Sequence, residues 1–112
     1  MLAFDLQPEA LSQTHHRLSL AALDSRVRLI PSSHHQAARF LPPLSERGVA
    51  LVMMNLGYLP GGDPRIITQT ETTIATLRQL HPHMARRAAI LVIAYRGHPG
   101  GPQEHAAVAR WM

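Results

Sequence analysis

The segment Asn55-Leu-Gly-Tyr-Leu-Pro-Gly-Gly-Asp63 holds the residue types best placed to do chemistry. An asparagine side chain and neighbouring carbonyls can accept hydrogen bonds from an amine and so orient its lone pair. An aromatic ring three residues on, Tyr58, can stack on the base that carries that amine. A neutral amine needs no strong general base. The same residues also fit a plain turn, with Gly57 and Pro60-Gly61-Gly62 bending the chain and Tyr58 packing on the core. The apolar run just before Asn55 favours the first reading, because loops that follow buried strands are where such sheets keep their sites. Asn55 and Tyr58 are then the catalytic candidates, and Leu59, Pro60, Gly61, Gly62 and Asp63 share their substrate-side loop.

A second loop, Tyr95-Arg-Gly-His-Pro-Gly-Gly101, follows another apolar run. Gly97, Gly100 and Gly101 permit close backbone approach there, and Arg96 and His98 can meet phosphate or base. Asp5 closes the first apolar run. An acid at that place can accept hydrogen bonds from both hydroxyls of a ribose, or can simply cap the amides of the helix that follows. His34-His35 could touch a ligand at a strand end. The pairs His15-His16 and His81/His83 have no spacing or carboxylate company that suits a metal, so no metal site is expected. Neither a nucleophile elbow nor a phosphate-binding P-loop is present in the sequence.

These loops need elements to position them. Four strand-like runs are expected, at 1–5, 27–30, 49–55 and 89–95, and the last two are apolar throughout, as suits strands covered on both faces. Pro8-Glu9 marks a helix start, with Leu11, Leu18 and Ala22 as its apolar face. A short helix at 36–41 should stop at Pro42-Pro43. Thr68-Gln-Thr-Glu71 has capping-box spacing and opens a helix whose core face is Thr73, Leu77, Leu80 and Met84. A last helix begins near Gln103. The alternation predicts an α/β fold, a doubly wound, mostly parallel sheet with ligands at the carboxyl ends of its strands.

Composition sets outer bounds. With 112 residues the chain suits one small domain, and 46% hydrophobic against 16% charged content suits a packed core. There is no cysteine, which excludes disulfides and thiolate chemistry. No run is long and apolar enough to span a bilayer and no leader pattern opens the chain, so a cytoplasmic location without membrane contact is expected. The net charge of +4 is carried by eleven arginines and no lysine. It permits a phosphate-rich partner without demanding one.

The nine-residue segment, with Thr72-Thr73-Ile74 downstream and Tyr95 to Gly101 beyond, closely resembles the MnmM/YtqB-type methyltransferases, formerly grouped as rRNA methylases. The resemblance covers most of the chain. It implies a class I, Rossmann-like methyltransferase fold and S-adenosyl-L-methionine as methyl donor. It implies methylation of the aminomethyl nitrogen of 5-aminomethyl-(2-thio)uridine at the tRNA wobble position. Carried over by position, Asp5 resembles the ribose-binding acid, with Gln7 beside it near the adenine. Ser33 and His34 match a Ser-His pair after the next strand, although Ser32 stands where the family usually has an acid. Asn55, Gly57 and Tyr58 resemble the methyl-transfer loop, with Asn55 and Gly57 also against the cofactor. Gly61, Gly62, Tyr95, His98, Gly100 and Gly101 resemble an RNA-facing rim.

The same resemblance places a first strand and a glycine-rich loop before Met1, and antiparallel strands after Met112. Residues 1–112 are therefore expected to form a single incomplete domain. The absent first strand would lie between the strands at 1–5 and 49–55, leaving two central edges that either close on each other or take another chain. A non-catalytic RNA-binding remnant, a dimer-forming fragment and an rRNA methyltransferase are the alternatives to a tRNA enzyme.

Overall fold

Strand pairing in this chain stops short of a single sheet. In the computed structural model, which describes residues 1–43, 48–63 and 65–112, four strands form two separate parallel pairs. Strand β1 (Leu2–Asp5) pairs with β2 (Arg28–Pro31), Leu2 opposite Arg28 and Asp5 opposite Pro31. Strand β3 (Val49–Leu56) pairs with β4 (Met84–Ala94), Leu51 opposite Ala89 and Leu56 opposite Ala94. β1 and β3 do not pair with each other. Of the two outcomes expected for the central edges, closure is the one that does not occur.

Helices follow the expected alternation. Helix α1 (Pro8–Leu20) carries proline in its first turn and packs on β1 and β2. It ends before Ala22, which takes a positive φ of 53°, so its inner stripe is Ala10, Leu11 and Leu18 without Ala22. The segment after β2 is a 3-10 stretch, His34–Phe40, rather than a helix at 36–41. Helix α2 (Thr70–Leu80) buries Thr73, Thr76, Leu77 and Leu80. The expected capping box does not form: Gln69 is the N-cap and no side chain caps the end. Met84 belongs to β4, which begins five residues earlier than the apolar run alone suggests. Helix α3 (Gly101–Trp111) closes the chain.

The core lies on one face of the β3–β4 pair. Met54 and Leu56 meet Leu77 of α2 and Val108 of α3, flanked by Val52, Ile74, Ile90, Val92, Ala94 and Trp111. Strand alternation sends the other side chains to the opposite face. There Leu51, Met53, Leu91 and Ile93 are 53%, 67%, 49% and 48% exposed. The apolar runs thus have the composition of strands covered twice, while these residues cover them once. The accessible surface, 7879 Å², exceeds the roughly 6,100 Å² typical of a monomer of this mass. The radius of gyration, 14.4 Å, likewise exceeds the roughly 13 Å typical of this length.

Since hydrogen bonds do not join the two strand pairs, packing does. The 3-10 segment rests on α2 and on β1. Gln7, 6% exposed, presses its Oε1 against Gly62, where an added Cβ would lie 2.8 Å away. The carboxyl ends of β1 and β3 therefore share one rim.

Truncation of Leu77 to alanine should cost about 2–5 kcal/mol, since it empties a fully buried site. Met53→Ser on the open face should cost less than about 0.5 kcal/mol. Urea denaturation of the two variants checks the contrast.

Candidate active site

The loop between β3 and α2 is built from its ends. Gly57 and Thr68 are bound to each other twice: the Thr68 N–H donates to the Gly57 carbonyl and the Gly57 N–H donates to Thr68 Oγ1, both at 2.9 Å. Tyr58 and Ile67 form the adjacent antiparallel bridge. Within the loop, Gly62 N–H donates to the Leu59 carbonyl. Pro60 and Gly61, the latter at φ +79°, occupy the two central positions of that turn, as a type II geometry requires. Asp63 takes its own backbone turn. Its Oδ1 accepts the Arg65 N–H, and its carboxylate pairs with the Arg65 guanidinium at 2.7 Å. That hydrogen bonding holds the Asp63 carboxyl below its ordinary range.

Thr68 hands the loop on to α3. Its hydroxyl donates to Glu104 Oε2 at 2.7 Å, and Thr73 donates to Glu104 Oε1 at 2.6 Å. Glu104 is 1% exposed and Thr73 fully buried. The local Thr68-Gln-Thr-Glu71 spacing loses to this tertiary partner, which explains why the capping box is not made. Sequence reasoning passed over Glu104. The signal was there: Gly101, Glu104 and Val108, three and four residues apart, form the buried stripe of α3.

Asn55 is the penultimate residue of β3, with an exposed side chain on the same face as Leu51 and Met53. Among the described residues it makes no side-chain hydrogen bond. Tyr58 is 52% exposed, and its ring meets His98 edge-on at 6.3 Å between centroids. Tyr95, also exposed, lies beside Gly57, 3.5 Å from where a Cβ would stand. The two loops after β3 and β4 are therefore neighbours, joined through Tyr58, Gly57, Tyr95 and His98. Gly100 and Gly101 form the start of α3. Gly101 is buried, and a Cβ there would fall 2.5 Å from the Tyr95 carbonyl.

His98 departs from its expected place on an RNA-facing rim: it is 8% exposed, tucked under that rim. Its Nδ1 lies 3.0 Å from the Pro99 carbonyl, which can only accept, so Nδ1 carries a proton. Nε2 is buried and has no partner among the described residues.

The β1–β2 side contributes the rest. Asp5 Oδ1 accepts the Gln7 N–H at 2.9 Å. The helix-entry role is thus fulfilled by one oxygen, and Oδ2 makes no hydrogen bond among the described residues. Gln7 sits between α1 and Gly62. Ser33 pairs with His35 through its hydroxyl. His34 Nε2 is buried and unpartnered. Burial pushes the His34 pKa below 6.5, opposed by the charges of Glu104 and Asp5 and assisted by that of His35. The charges of Glu104 and Asp5 thus both reach His34. Among the described residues no cluster of His, Asp or Glu could hold a metal.

A shallow groove of about 570 Å³ lies elsewhere, lined by Arg78, His81, Ile90, Trp111 and Met112. It sits at the carboxyl ends of α2 and α3, away from the loops that close β3 and β4.

An α/β frame whose distinctive loops gather at the carboxyl ends of parallel strands places them where open α/β folds bind their ligands. Comparison with known proteins agrees. The chain belongs to the family described as "Putative rRNA methylase", which it matches over residues 1–112. It is 33% identical over 105 residues to the chloroplastic tRNA (mnm(5)s(2)U34)-methyltransferase of Arabidopsis thaliana, covering 91% of this chain and 38% of that protein. A structure from Clostridium thermocellum titled as a putative rRNA-methylase superposes with a TM-score of 0.88 at 34% identity. One from Streptococcus mutans, titled as a putative methyltransferase in complex with SAH, superposes at 0.82 and 26%. Each superposition covers 98% of this chain and 57% of the other. The chain thus spans little more than half of the solved relatives and about two-fifths of the curated one.

The lowered His34 pKa gives a sign to the pH dependence. The unfolded chain binds this proton below about pH 6.5 while the folded chain resists it, so stability should fall as pH drops through that value. Denaturation midpoints at about pH 7.5 and pH 5.5 should differ less in His34→Asn than in the parent.

Proposed function

We propose that this rim is the acceptor side of an S-adenosyl-L-methionine-dependent N-methyltransferase acting on RNA. Its target on this reading is the aminomethyl nitrogen of wobble 5-aminomethyl-(2-thio)uridine in tRNA. The observation that carries the proposal is the pairing of Asn55 with Tyr58. Both side chains are exposed, three residues apart, on a loop fixed at its base by Gly57 and Thr68. The tRNA target rests on the likeness to the plant enzyme; the family's description favours rRNA as the alternative target.

In this role Asn55 Oδ1 accepts a hydrogen bond from the substrate amine and turns its lone pair toward the methyl donor. Tyr58 offers a ring on which the base can stack, and Tyr95 extends that surface. The nitrogen would gain the methyl carbon as that carbon's bond to the donor's sulfur breaks, the sulfur leaving as a neutral thioether, and would then give up a proton to solvent. The residues present suit a nucleoside-bearing donor on one observable ground: Asp5 keeps Oδ2 outside its helix-entry bond, and the buried His34 Nε2 has no partner among the described residues. Asp5 would hold the ribose, with Gln7, Ser33 and His34 around the adenine and Gly57 against the donor. When bound, the cofactor supplies an electrophilic methyl group on a sulfonium.

Asn55→Ala should leave folding intact, since the side chain is exposed and bonds to nothing described. It should lower methyl incorporation about 100-fold, as expected when a reacting group loses its orientation. Nucleoside mass spectrometry on undermodified tRNA and on rRNA reads both yield and target. Unchanged incorporation by the variant removes Asn55 from the site, and product on rRNA moves the target.

A further inference from the structure

Among the described residues Glu104 is the one buried carboxyl group, and nothing in the proposed chemistry uses it directly. Among the described residues its side chain makes no hydrogen bond to Asn55, Gly57 or Tyr58. Both its oxygens are occupied by hydroxyls, Thr73 at 2.6 Å and Thr68 at 2.7 Å. A hydroxyl has one proton to give. Because Thr68 gives its proton to Glu104, its lone pairs remain to accept the Gly57 N–H at 2.9 Å. Glu104 therefore sets the direction of a three-member chain that ends on the backbone between Asn55 and Tyr58. With a carboxamide at position 104 only one oxygen remains to accept, so the Thr68 and Thr73 hydroxyls would compete for it and the Gly57 amide would lose a defined partner.

The helix that carries Glu104 begins in the other loop of the rim. Glu104 N–H donates to the Gly100 carbonyl, and Gly101 packs on Tyr95 and His98. One carboxyl group thus ties the loop after β4 to the loop after β3. The charge of Glu104 also reaches His34, on the β1–β2 side.

We propose that Glu104 is a positioning residue for the Asn55–Tyr58 loop, acting through Thr68. Its bond to Thr73 is a separate anchor between α2 and α3, and this separation makes the idea testable. The inference rests on the methyltransferase reading for its meaning, but its first readout does not need turnover.

The experiment compares Glu104→Gln, Thr68→Val, Thr68→Ser and Thr73→Val by amide hydrogen exchange at Gly57 and, where methyl transfer is observed, by kcat and KM. Glu104→Gln should speed Gly57 exchange about tenfold beyond any change in global stability, although the Glu104 side chain makes no hydrogen bond to Gly57 among the described residues. Thr68→Val should do the same, which covers the case of a Glu104 variant that fails to fold. Thr68→Ser should restore protection, and Thr73→Val should destabilise without selective loss at Gly57. In turnover, Glu104→Gln and Thr68→Val should lower kcat about tenfold with KM for RNA little changed, and Thr73→Val should not. Gly57 protection that follows global stability alone, or equal effects of the Thr68 and Thr73 variants, would overturn the proposal. A parent protein with no methyl transfer counts against the functional reading, and the exchange comparison then decides the positioning role by itself.

Discussion

A buried carboxyl group with two hydroxyl donors organises this chain. Glu104 is shielded almost completely from water, a costly state unless its oxygens are hydrogen-bonded. Thr68 and Thr73 provide those bonds, and in doing so fix where α3, α2 and the loop after β3 stand relative to one another. Each residue on the exposed rim inherits its place from that contact or from the short bonds next to it. Asn55 lies one residue before the end of the strand, Gly57 is clamped by Thr68, Tyr58 begins the antiparallel bridge, and Tyr95 borders Gly57.

The other organising fact is the space between the strand pairs. β1–β2 and β3–β4 remain separate, and packing by the 3-10 segment and Gln7 holds them at a common rim. One side of β3–β4 presents Leu51, Met53, Leu91 and Ile93 to solvent. The superposition on two solved methyltransferase-family structures covers nearly all of this chain and only 57% of theirs. The arrangement here is therefore one those longer proteins also contain.

Much of this was legible in the residues, for local reasons. Apolar runs located all four strands, and Pro8-Glu9 and the Gly-Gly loops located the main helix and turn boundaries. The strand–loop order placed Asn55, Tyr58 and Tyr95 on one rim. What stayed hidden was tertiary. Arg86 and Arg87 interrupt the apolar signal, so the early part of β4 fell outside the expected strand and its first residue, Met84, was assigned to the preceding helix. Thr68 and Glu71 had the spacing of a cap, and only the folded chain shows Thr68 turned toward Glu104 instead. His98 looked like a surface ligand because it sits among glycines, yet it is buried, and a Cβ on Gly101 would crowd its Nε2 at 3.1 Å. Asp5 allowed two roles by position; the structure shows one oxygen in the helix-entry role and does not engage the other.

The central claim is that the Asn55–Gly62 loop and Tyr95 form the acceptor surface. The most direct test is chemical-shift mapping of the labelled chain with a tRNA anticodon stem-loop bearing 5-aminomethyluridine. The account predicts perturbations concentrated at Asn55, Tyr58, Leu59, Gly61, Gly62 and Tyr95. Perturbations centred instead on Arg78, His81 and Trp111, or none at saturating RNA, would contradict it.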